Sequence, residues 1–156
     1  MAKAKIDLRE TRALLADAGK RVNLRVSKQT ANLILDMMKE MISRGSSPIA
    51  GNGRFPAYKN RKKYPGKQKP ATPVNLYLTG KFLSQLVAQV SPVRGNIRIG
   101  FNSKYGKTLE QGHREGANGQ PSRPIIPEEN ERLAKPIRAA ILELYTNAVR
   151  KYLREK

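Results

Sequence analysis

Apolar residues recur every three or four positions through "VSKQTANLILDMMKEMISRG". Ala31, Ile34, Met38 and Met41 fall on one helical face, and Leu33, Met37 and Ile42 widen it. The pattern predicts a helix of about five turns that begins before Ser27 and stops near Gly45. Met37, Met38 and Met41 are expected in core or at a subunit interface. Ahead of it, "DLRETRALLADAG" predicts a separate helical arm within 1–19. Asp7 is placed to cap it, Glu10 sits at the capping-box offset, and Gly19 can end it. "RVNLRV" between them alternates like a strand, while its neighbours favour continued helix.

Further on, Thr79 is placed to cap a short helix that turns Phe82, Leu83 and Leu86 inward. "VAQVSPVRGNIRIGF" then predicts a hairpin with strands Val87–Val90 and Ile97–Phe101 and a turn around Arg94, Gly95 and Asn96. "SKYGKTLEQG" predicts one or two helical turns carrying Tyr105 and Leu109, and "HREGANGQ" a flexible loop. A long helix is expected over 127–154, with Pro127 at its first position. Glu128, Glu129 and Glu131 would then sit at the positive end of the helix dipole, and Arg150, Lys151 and Arg154 at the negative end. Leu133, Ile137, Ala140, Ile141, Leu144 and Ala148 make its apolar stripe, and Pro136 predicts a kink.

Neither period survives over 46–74, a Pro- and Gly-rich loop with a surplus of cations. Loops of this length inside compact domains are usually functional or order on binding. Arg54, Lys59, Arg61, Lys62, Lys63, Lys67 and Lys69 are its candidate nucleic-acid or partner contacts. Phe55, Tyr58 and Tyr64 are interleaved with them, as in proteins that stack aromatics on single-stranded bases. The setting is strongly basic. The chain of 156 residues, expected to form one domain over 1–156, carries a formal charge of +19, and no acid lies between Glu40 and Glu110. Such a surplus favours an anionic partner and gives no sign of base-specific reading. Apolar content of 38% permits a modest core.

Chemistry is sparsely provided for. The absence of Cys excludes disulfides and thiolate metal sites. His113, the one histidine, is expected exposed in the polar loop, with no orienting partner for base catalysis. One His and no Cys leave too few ligands for zinc. For Glu128, Glu129 and Glu131, dipole complementarity is a simpler reading than a magnesium site. "GNG" and "GANG" lack the spacing of phosphate-binding fingerprints. No catalytic residue, metal or cofactor is expected. No apolar run spans a membrane, and "MAKAKIDLRE" lacks the apolar core of a signal peptide, so a cytoplasmic origin is expected.

The order of several short motifs resembles the tail-completion, or head–tail joining, proteins of long-tailed bacteriophages. Leu78, Thr79, Gly80 and Leu83 match the family's Thr-Gly motif and following apolar helix. A hairpin follows, and Tyr105, Glu110 and Gly112 are similar to its Tyr-to-Gly segment. Pro121, Arg123 and Pro124 match its Pro-x-Arg-Pro motif, and "GRFPAYK" also occurs in some members. Gln111 stands where an aromatic is usual, and Ile125 where Phe is usual. The resemblance covers about residues 20 to 150. It implies an α+β fold: a small, mainly antiparallel sheet packed by a long helix from the N-terminal half and a long C-terminal helix. It also implies a non-enzymatic ring subunit, hexameric or dodecameric, assembled in the host bacterial cytoplasm and resident in the virion neck. Its partners would be copies of itself, a portal or adaptor, and tail-tube or tail-terminator proteins, with double-stranded DNA passing through the lumen. Because DNA must move, much of the basic loop is expected to touch protein neighbours. In that setting Arg123, Pro124 and Ile125 form a rigid elbow, with Arg123 at an interface or paired with a carboxylate. A stand-alone, sequence-nonspecific nucleic-acid-binding protein is the alternative, and a nuclease a more distant one.

Overall fold

The computed structural model describes residues 8–57, 74, 76, 81–91, 95–116 and 119–155; along 8–25 only the backbone is described, apart from Ala16 and Lys20. The element order is α1 (Leu8–Ser43), α2 (Lys81–Ser84), β1 (Leu86–Val90), β2 (Ile97–Phe101), α3 (Lys104–Glu115) and α4 (Lys135–Arg154). This is an α+β fold in which the two long helices pack together and α1 also lies against the hairpin.

Helix α1 runs unbroken for 36 residues, so Gly19 does not end an N-terminal arm. An interior glycine costs about 1 kcal/mol relative to alanine, which a long run of good helix formers offsets. "RVNLRV" is helical, as its neighbours suggested. The buried line of α1 passes through Ala31, Ile34, Met38 and Ile42, while Met37 and Met41 flank it. The helix stops where expected. Gly45, at φ 79, donates to the Ile42 carbonyl at 2.9 Å, and Ser46 donates to Met41 at 2.9 Å. These are the paired bonds of a left-handed glycine cap.

The hairpin matches expectation, with Leu86 added to β1. Its antiparallel register pairs Leu86 with Phe101, Ala88 with Ile99 and Val90 with Ile97. Cross-strand partners share a face, so these six side chains form one apolar face, and Gln89 and Arg98 point to the other. Leu86 and Phe101 are buried at its base beside Phe82 of α2. The expected caps Asp7 and Thr79, and Leu78, Gly80 and Arg94, lie outside the described residues.

Two helices differ from expectation. Helix α3 runs for 12 residues, well beyond two turns, and takes in His113 and Arg114. Ser103 caps it by accepting from the Gly106 amide at 3.0 Å, and Gly116, at φ 72, closes it through a bond to Gly112. Helix α4 begins at Lys135, not at Pro127. Pro136 therefore occupies its first turn, where its missing N–H would have no partner anyway, and no mid-helix kink arises. Residues 127–134 instead approach as an irregular segment that pairs Leu133 with Ile49.

That pairing also revises the 46–74 loop. Its first part, 46–57, is built into the fold. Ser47 donates to Gly53 at 2.8 Å and Phe55 to Gly45 at 2.8 Å, closing a compact turn. Ala50 donates to Arg132 and Ala134 to Pro48, both at 2.8 Å, joining this turn to the start of α4. Ile49 and Phe55 are buried. Phe55 belongs to the core cluster with Met38, Ile42, Phe82, Ile125 and Ile137, so it is not a base-stacking aromatic. Burying a ring of its size is worth about 2 kcal/mol, which favours the core position.

Candidate assembly elbow and cationic hollow

The elbow "PSRP" is extended because each proline fixes its own φ and biases the residue before it. It lies across α3: the Arg123 amide donates to the His113 carbonyl at 2.6 Å, and the Ser122 hydroxyl donates to the Arg114 carbonyl. Arg123 is 1% exposed. Its Nε donates to the Pro56 carbonyl at 2.9 Å and its Nη2 to the Ala57 carbonyl at 3.0 Å. One planar guanidinium thus ties the elbow to the far end of the 46–57 turn. The Ser47 hydroxyl, donating to the Pro124 carbonyl at 3.1 Å, ties it to the near end. Ile125 is fully buried in the core.

His113 is not an exposed loop residue. Its ring lies 5.2 Å from that of Phe82, which stacks on Phe101 at 4.8 Å. Burial, and secondarily the charge of Arg123, lower its pKa from 6.5 to about 4. The ring is neutral at pH 7 and too weak a base there to accept a proton efficiently.

Two of the acids expected at a helix N-terminus, Glu128 and Glu131, serve a different purpose. Arg114 Nε lies 3.6 Å from Glu110 and 3.2 Å from Glu128, and its Nη1 lies 3.2 Å from Glu131. Its Nη2 donates to the Ile126 carbonyl. The Glu131 carboxylate also accepts from the Glu128 amide at 2.9 Å, the main cause holding its pKa below the ordinary value. This knot joins α3 to the segment leading into α4. No metal-binding group of three or more His, Asp or Glu occurs among the described residues.

A hollow of about 370 Å³ lies between residues 46–54 and the start of α4. Arg54, Lys135 and Arg138 line it over an apolar floor of Met41, Ile49, Ala50 and Ala134. Helix α4 begins on Ala134 without a side-chain cap and has no acid in its first turn. Lys135 and Arg138 escaped notice in the sequence because they stood inside an expected helix, where cations look like a solvated face. Of the basic-loop residues, Arg54 falls here; Lys59, Arg61, Lys62, Lys63, Lys67 and Lys69, like Tyr58 and Tyr64, lie outside the described residues.

Comparison with protein-family models, with curated proteins and with solved structures finds no match to this chain. No described helix is long and apolar enough to cross a membrane.

Proposed function

We propose that this chain is a ring-forming structural subunit of a phage neck, joining head to tail around DNA. The observation that carries this reading is the meeting of its three motif segments. Phe82, beside the Thr-Gly motif, packs on His113 of α3, and the Arg123 amide bonds that same residue's carbonyl. Segments spread over about forty residues of sequence, from Phe82 to Arg123, therefore form one braced unit. Such a unit suits a rigid subunit that passes force between neighbours, since Arg123 commits its guanidinium to the Pro56 and Ala57 carbonyls and so holds backbone in place. In this reading the protein is not an enzyme, its neighbours are copies of itself with portal, adaptor or tail-tube proteins, and it resides in the virion.

Sizing with light scattering and negative-stain images tests this. A closed ring, formed alone or on a portal or tube partner, is the expected result. A monomer with no affinity for such partners would refute it. The second reading, a stand-alone nucleic-acid binder, is favoured by the cationic hollow. It predicts a monomer that binds DNA with a steep dependence on salt.

A further inference from the structure

We infer that the hollow between the 46–54 turn and the start of α4 receives the sugar–phosphate backbone of duplex DNA. The choice of ligand rests on the neck reading; the site itself rests on its geometry. Three cations from two separate segments, Arg54, Lys135 and Arg138, line one hollow of about 370 Å³, and among the described residues no carboxylate lines it. Among the described residues, their charged ends have no ion pair or hydrogen bond. Two other arginines, by contrast, are paired: Arg44 meets Glu40 at 2.5 Å, and Arg114 meets three glutamates. Like charges gathered around one hollow repel each other, and a bound anion removes that repulsion.

The rest of the lining narrows the anion. Met41, Ile49, Ala50 and Ala134 give the lining an apolar surface that suits deoxyribose, alongside the hydroxyl-bearing Ser46 and Ser47. Among the described residues no aromatic lines the hollow, so none there offers a base a stacking platform. Gly51 and Gly53 sit on its rim at φ +90 and +61, and a Cβ on either would meet nothing within 4 Å. That bare rim lets a wide backbone approach. Contact of this kind positions a duplex without reading its sequence.

The test is binding of a short fluorescent DNA duplex to the purified full-length chain, followed by anisotropy at several salt concentrations. A pocket variant, Arg54→Gln, Lys135→Gln and Arg138→Gln together, is compared with a control of equal net charge, Arg98→Gln, Lys104→Gln and Lys107→Gln. The pocket variant should bind about tenfold or more weakly and lose about two to three from the slope of log K against log salt. The control should lose less than about threefold. Equal losses in both variants would show that only overall charge matters and overturn the site. Equal or tighter binding of an RNA duplex, or of polyglutamate, would overturn the assigned ligand. Circular dichroism and light scattering are run on the same samples. Lost DNA binding with rings intact supports the site, whereas absent rings with pocket-dependent DNA binding refute only the neck reading. Should the triple variant not fold, Arg54→Gln and Arg138→Gln singly carry the test, each expected to weaken binding about threefold.

Discussion

The 46–57 turn meets arginine at two places, under opposite conditions. At the far end, the carbonyls of Pro56 and Ala57 accept from Arg123, which is 1% exposed. Near its middle, Arg54 is exposed and joins Lys135 and Arg138 around a hollow that no described acid lines. Both lie in the same basic neighbourhood, yet the first side chain is occupied inside the fold and the others are not. Formal charge alone does not distinguish them. What does is whether the backbone presents acceptors at the right spacing for a guanidinium fork.

The largest expected effect comes from breaking the buried end. Arg123→Ala removes both bonds to the turn and leaves two carbonyls without that donor, costing about 3 kcal/mol in denaturant unfolding. Arg123→Lys keeps the charge but cannot span both carbonyls, so it should recover less than half of the loss. A stability within about 0.5 kcal/mol of the parent for Arg123→Ala would mean that the elbow does not depend on this contact.

His113 sharpens the same end through pH. Its folded pKa of about 4 lies below its ordinary value of 6.5, so the unfolded chain binds the proton more readily. The associated stability is complete above pH 6.5 and is lost as pH falls toward 4. Allowing for partial screening of a half-buried ring, the loss is about 2 kcal/mol. His113→Phe, which keeps the stack on Phe82, should flatten the stability profile across that window. An unchanged profile would assign the pH dependence to other groups.

The smallest effect is expected at the open end. Replacing Arg54, Lys135 and Arg138 by Gln should change the melting free energy by no more than about 0.5 kcal/mol, and relief of repulsion makes a slight gain the expected sign. A loss of about 2 kcal/mol or more would show that these cations support the fold, contrary to the comparison drawn here.

Much of the architecture was legible in the chain. The apolar line of α1, its stop at Gly45, the hairpin register and the inward Phe82 and Leu86 each follow from local periodicity or turn chemistry. The start of α4 was not legible, for a physical reason. Pro127 followed by acids satisfies the rules for a helix N-terminus, but those acids answer Arg114, and Leu133 pairs with Ile49. Pro136, which seemed to interrupt a helix, opens one. Phe55 misled similarly, since an aromatic among cations has the same local appearance whether it meets a base or a core.

The sequence by itself determined the core of α1, the hairpin strands, the excess of positive charge and the stiffness of the Pro121–Pro124 elbow, because periodicity, formal charge and proline geometry are local properties. Tertiary structure alone decided that Arg123 is buried, that His113 is neutral against Phe82, and that Arg54 shares a hollow with Lys135 and Arg138. Those outcomes depend on contacts between residues up to about eighty positions apart, whose desolvation and hydrogen-bond partners exist only once the chain has closed on itself.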